Sequence, residues 1–154
     1  MPQSPIRVLF VCHGNICRST MAEFVLKDMV ARRGLAEQFR IESAATSTEE
    51  IGNPVHPGTA AVLREHGIGG FEGKRAQLRR ADYDAFDFII GMDTANIRNM
   101  NWILGGDPDG KVLKLLEFAG TNRSVDDPWY TGDFETTYAD VCDGCEGLLA
   151  YLGM

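Results

Sequence analysis

No run in this sequence is apolar for long enough to span a bilayer; the longest, at residues 8–12 and 86–92, are strand-sized. Its first residues, MPQSPIR, lack the charged segment and long apolar stretch of a secretory leader, which predicts a cytoplasmic protein and no membrane association. Four cysteines (Cys12, Cys17, Cys142, Cys145) are too few to staple 154 residues, and a chain of that length buries a core without them. Basic residues are outnumbered, 15 against 22 acidic ones for a formal charge of −7, so nucleic acid is not an expected partner. An acidic protein can still bind an anion, but only at a focused local site. The three histidines fall at no metal-ligand spacing, and no metal or other cofactor is expected.

What is present is an alternation of strand and helix, with no repeats and no low-complexity segment. Residues 6–11 are apolar except for Arg7, as in a strand covered on both faces. Residues 19–33 set Met21, Phe24, Val25, Met29 and Val30 at helical spacing and stop at Gly34. Further strands are predicted at 40–45, 87–92 and 111–116. Further helices are predicted at 57–66, entered through proline, at 94–104 and at 134–152. Strands separated by helices imply parallel crossovers, hence one three-layer α/β/α domain over residues 1–154. Such sheets bind ligands at the carboxyl ends of their strands. The segment that follows the first strand is therefore the place to look.

That segment reads Cys12-His13-Gly14-Asn15-Ile16-Cys17-Arg18-Ser19. A turn of this length between strand and helix curls its backbone N–H groups inward and ends on a helix N-terminus, and both features favour an anion. Gly14 and Asn15 are residue types that tolerate left-handed backbone angles. Arg18 adds a planar fork of donors matched to phosphate. The same positive field favours the thiolate form of Cys12, which is the nucleophilic one. A Walker loop is excluded, because the segment has no lysine and no G-K-[ST] ending. A bare C-x5-R arises by chance in many sequences; its strand context, the Gly-Asn pair and Ser19 turn it into a phosphoryl-transfer site.

CHGNICRS also matches the C-x-G-N-x-C-R-S signature of the low molecular weight protein tyrosine phosphatases. SAATS at 43–47, FDFIIGMD at 86–93 and DDPWYTGDFE at 126–135 follow in family order, so the chain resembles that family over nearly its whole length. The resemblance implies a four-stranded parallel sheet of flavodoxin-like topology and a metal-free phosphomonoesterase working through a cysteinyl phosphate. It implies Cys12 as nucleophile, and Arg18 with the amides of residues 13–19 as holders of inorganic phosphate or another oxyanion. It further implies Ser19 as hydrogen-bond donor to the sulfur, with Asn15 and Ser43 in a network that supports the loop. The general acid it assigns is the aspartate directly before proline, Asp127; Asp126 is the alternative. Trp129 and Tyr130 would flank an aryl ring, with His13 and Ile16 on the loop side.

Further features of this chain bear on specificity and regulation. Glu49 stands where many relatives carry an aromatic, so the wall it forms should disfavour acidic phosphopeptides. Arginine phosphatases of the same fold carry threonine where this chain has Ile16, so phosphotyrosine is favoured and phosphoarginine is the alternative. Thioredoxin-coupled arsenate reductases need a further cysteine pair in mid-chain, and none lies between Cys17 and Cys142. An inert phosphoprotein-binding module would have lost the nucleophile, the arginine or the acid, and all three are present. Cys17 either forms a protective disulfide with Cys12 or packs under the loop, and the two readings stand equal. Cys142 and Cys145 read as core or semi-exposed helical positions, while His56 and His66 have no evident partners and read as surface or capping residues. The expected partners are phosphotyrosine proteins, a tyrosine kinase among them, and the expected state is a monomer or weak dimer.

In the family pattern a histidine supports Asn15; its place here is taken by Gly73. The loop should accordingly be looser and the enzyme active but slow. Gly73→His is expected to raise kcat on an aryl phosphate, and an unchanged rate would remove the missing histidine from the account.

Overall fold

The structure, a computed structural model, describes residues 4–50, 53–69 and 76–154. Five parallel strands form its sheet: β1 (Ile6–Cys12), β2 (Phe39–Ala45), β3 (Ala76–Gln77), β4 (Phe88–Gly91) and β5 (Val112–Lys114). Their order is β3-β2-β1-β4-β5. The four expected strands thus lie in the order of a flavodoxin-like sheet. The sheet is wider than expected by the two residues of β3, which joins β2 where the Leu78 N–H reaches the Ala45 carbonyl at 2.8 Å.

The pleat of β1 divides its side chains between two cores. Val8, Phe10 and Cys12 face one, and Leu9 and Val11 face the other. The first core is closed by α1 (Arg18–Arg32), α2 (Pro57–Glu65) and α6 (Phe134–Tyr151). The second is closed by α3 (Asp82–Ala85) and α4 (Thr94–Leu104), through Tyr83, Met100 and Leu104. Cys12 is 3% exposed and ends the first row. The remaining helix, α5 (Pro128–Thr131), is one turn at the carboxyl edge of the sheet.

One expected strand is shortened. Residues 111–116 read as extended, yet β5 stops at Lys114 and residues Leu115–Ala119 form a 3-10 helix. The reason is α6, which lies directly on that turn. A Cβ on Gly144 would come 2.3 Å from Leu115 Cγ, and one on Gly147 would come 2.1 Å from the Phe118 carbonyl oxygen. Glycine at both positions lets the helix seat there and bury Leu115 and Leu116. Alanine is the better helix former by about 1 kcal/mol, but Gly147→Ala forces α6 off its seat. We expect it to lower stability by about 1–3 kcal/mol, the usual cost of overpacking, read as a fall in the urea midpoint. A rise would show that the helix does not need this approach.

Candidate active site

Residues 13–17 connect β1 to α1 and form the floor of a cavity of about 120 Å³. Asn15 adopts φ 55°, the one positive φ outside glycine among the described residues. Gly14, for which the sequence suggests the same freedom, does not use it. Its role is space, because a Cβ there would lie 3.1 Å from Glu50 Cγ. The carbonyls of the loop are taken by neighbours: Thr46 N–H donates to Cys12 O (3.0 Å), Ser47 N–H to His13 O (2.9 Å) and His56 N–H to Ile16 O (2.9 Å). The Cys17 carbonyl accepts from Met21 N–H and from the hydroxyls of Thr20 and Thr59. In a trans peptide the N–H points opposite the C=O. The N–H groups of His13, Gly14, Cys17 and Arg18 therefore turn the other way, toward the cavity. No side chain caps α1 at Cys17, which leaves that helix start to an anion.

Cys12 Sγ lies 3.0 Å from Ser19 Oγ, and Ser19 Oγ donates to the buried Asn15 Oδ1 at 2.6 Å. The hydroxyl has a single proton to give. As a thiol, Cys12 donates to Ser19 and Ser19 to Asn15; as a thiolate, the sulfur takes the serine proton instead.

Arg18 is 2% exposed. Its Nη1 donates to Asp93 (2.7 Å) and to the Val125 carbonyl (2.9 Å), and its Nη2 reaches Asp127 at 3.4 Å. Burial alone would weaken the charge of the guanidinium, but Cys12, Asp93 and Asp127 outweigh it and hold its pKa above the ordinary arginine value. Nε of Arg18 is buried and has no hydrogen-bond partner among the described residues. A buried charged donor in that state suits an oxyanion as its partner.

Asp127 caps α5. One carboxylate oxygen accepts the Trp129 N–H (3.0 Å) and the other faces Arg18. The segment that leads into Asp127 is anchored twice, by Val125 N–H on the Met92 carbonyl (2.9 Å) and by a two-bond fork from Arg123 to Asp140 on α6 (2.9 and 2.7 Å). Asp127 lines the cavity, whereas Asp126 is exposed and does not. Ile16, Trp129 and Tyr130 also line it, as do Glu49 and Glu50; Glu49 pairs with His13 at 3.1 Å.

The other residues named from the sequence have these surroundings. The Ser43 hydroxyl donates to the buried carboxylate of Glu23, which also holds Lys27 at 2.5 Å. Gly73 lies outside the described residues. Cys17 is a free, buried thiol pushed up to about 12 by burial and by the neighbouring Cys12. Cys145 is buried against Ala22 and Cys142 half-buried, both on α6 as expected. The two histidines are not partnerless. His56 caps α2 through Nδ1 on the Gly58 N–H (3.0 Å), and its ring meets Trp129 edge-on and stacks on Phe134. His66 stacks on Tyr138 at 3.9 Å and lies 3.6 Å from Glu135. The cap on Gly58 is local, in line with the expected capping role, whereas the ring partners of His56 and the partners of His66 come from α5 or α6, too far along the chain for a local reading to reach. Among the described residues no cluster of histidine, cysteine and carboxylate side chains is able to hold a metal.

Sequence reading missed Asp93, Glu50 and Glu23. Asp93 carried a signal: an aspartate at the end of a strand and the start of a helix is an N-cap, and here it accepts the Asn96 N–H at 2.7 Å while holding Arg18.

The model of the low molecular weight phosphotyrosine protein phosphatases matches residues 7–154. The low molecular weight protein-tyrosine-phosphatase YfkJ of Bacillus subtilis is 43% identical over 148 residues, 94% of each chain. Its crystal structure superposes with a TM-score of 0.93 at 40% identity, covering 99% of this chain and 98% of that one. PtpA of Staphylococcus aureus, carrying the same description, is 38% identical over 96% of this chain and 94% of its own. A Drosophila arginine phosphatase shares the fold with a TM-score of 0.85 at 29% identity, over 97% and 99% of the two chains. With a family match across almost every residue, including the loop, the arginine and the acid segment, this chain belongs to the low molecular weight phosphotyrosine protein phosphatases.

Proposed function

We propose that the chain hydrolyses phosphotyrosine in proteins, in two steps that pass through phosphate bound to Cys12. The observation that carries this reading is the buried, unpaired Nε of Arg18 beside the Cys12 sulfur, with Asp127 on the same guanidinium. In the first step the Cys12 thiolate attacks phosphorus and the bond to the tyrosyl oxygen breaks. Asp127 gives that oxygen its proton, so that a neutral phenol leaves. Arg18 and the loop amides hold the equatorial oxygens, whose charge they match. In the second step Asp127 takes a proton from water, water attacks phosphorus, and the sulfur leaves as thiolate. The Ser19 hydroxyl serves that departure by turning its one proton from Asn15 Oδ1 to the sulfur.

Ile16, Trp129 and Tyr130 supply apolar and aromatic surface for a phenyl ring. The rim formed by Glu49 and Glu50 repels acidic residues near the phosphotyrosine, and His13 hydrogen-bonds Glu49 there. The reading extends to a cytoplasmic enzyme that acts on phosphoproteins, with a tyrosine kinase among the candidate substrates. Among the described residues no helix is long and apolar enough to cross a membrane.

The test offers phosphotyrosine, phosphoserine and phosphoarginine substrates with a chelator present. Phosphotyrosine turnover that survives chelation and disappears in Cys12→Ser is the expected outcome; turnover of phosphoarginine alone would overturn the substrate assignment. Asparagine caps a helix as well as aspartate does, so Asp127→Asn keeps α5 and removes only the acid. It should slow esters with poor leaving groups by about 100-fold or more and good ones far less. Equal slowing of both would place the acid elsewhere.

A further inference from the structure

A second groove opens beside the active-site cavity and shares His13 with it as a lining residue. It holds about 400 Å³, against about 120 Å³ for the cavity. Trp102 on α4 forms its outer wall and, at 85% exposed, is the most exposed of the large hydrophobic side chains among the described residues. The buried face of α4 is made by Asn96, Met100 and Leu104, so the core has no use for the indole. Leu78 and Ile103 add apolar surface, and Asn99 stands at the edge. Apart from His13, none of the described residues that line the groove is charged.

The polar groups are as uneven as the apolar ones. Gln77 donates through Nε2 to the Thr46 carbonyl (3.1 Å), which fixes the amide; its Oε1 is then buried with no hydrogen-bond partner among the described residues. A buried acceptor left in that state is costly, and a backbone N–H from a bound chain satisfies it. An exposed indole beside a buried, unmatched acceptor is the pairing expected of a surface that receives polypeptide.

We propose that the groove binds the substrate polypeptide next to its phosphotyrosine, taking one apolar side chain against Trp102 and a backbone N–H at Gln77 Oε1. The inference rests on the phosphatase reading of the cavity and assigns the neighbouring residues of the same substrate. A chain whose phosphotyrosine enters the cavity passes over His13 into the groove. Because the described lining of the groove carries no acidic or basic side chain besides His13, selection there is by apolar contact, whereas selection at Glu49 and Glu50 is by charge.

The experiment compares wild type, Trp102→Ala and Asn99→Arg on a small aryl phosphate and on pairs of phosphotyrosine peptides. Each pair differs by leucine or serine at one position, two to five residues on either side of the phosphotyrosine. Both substituted residues are exposed, so folding is spared, and neither touches the reacting atoms. At one position wild type should favour leucine about ten-fold in kcat/KM, carried by KM; ten-fold amounts to about 1.4 kcal/mol. Both variants should lose that preference and keep wild-type kcat/KM on the aryl phosphate. Aryl phosphate turnover with no peptide preference in wild type, or a preference that both variants retain, overturns the groove and leaves the cavity reading intact. No turnover of any substrate by wild type overturns the cavity reading, and the groove with it. Sedimentation decides between substrate and self: a dimer that Trp102→Ala dissociates would make a second copy of the chain the occupant and overturn the proposal.

Discussion

Burying the Arg18 guanidinium is costly unless its charge is matched, and the groups that match it assemble the site. Asp93 comes from the end of β4, the Val125 carbonyl and Asp127 from the segment before α5, and Cys12 from the end of β1. Three stretches of chain, spread between residues 12 and 127, converge on one side chain. Asp127 pairs with that ion and Cys12 lies within its field, so one charge relates the two. Asp93 carries most of the matching, since its bond is the shortest and it is itself fixed as the cap of α4. Asp127, at 3.4 Å, is held loosely enough to exchange its partner.

The proposed anion site sits in a protein of net charge −7, and its attraction is short-ranged and local. Peptide N–H groups, a helix start and one guanidinium act at contact distance, where bulk charge is screened over about 10 Å of salt solution. The carboxylates at 49 and 50 sit on the rim, beyond the phosphate and beside whatever surrounds it.

The strand, loop and arginine were legible because they lie within fourteen residues and their pattern is local. The helix boundaries were close for the same reason: caps and glycines mark them, as at Pro57 and at Gly105 after α4. The turn at Leu115 was not legible, since Leu115 and Leu116 read equally well as strand, and only the seat of α6 against Gly144 and Gly147 decides between them. Glu23 and His56 were opaque for a related reason. A buried glutamate looks like any surface residue of a helix until Ser43 arrives from β2. The stacking of His56 between Trp129 and Phe134 exists only once α2, α5 and α6 are assembled. Asp127 was reached through its proline and through family resemblance, and its second duty as a helix cap came only with the coordinates.

Cys12 is the last side chain of a core row that begins with Val8 and Phe10. Its sulfur has no loop of its own to adjust; it is aimed by the same packing that keeps the sheet folded. A misplacement of about 1 Å at a reacting atom is able to cost a hundred-fold in rate, and a repacked core moves side chains by fractions of that. Residues such as Phe10 and Met21, which never meet the substrate, are therefore part of the aiming of the reaction. Drift in this core is filtered for marksmanship before it is filtered for stability.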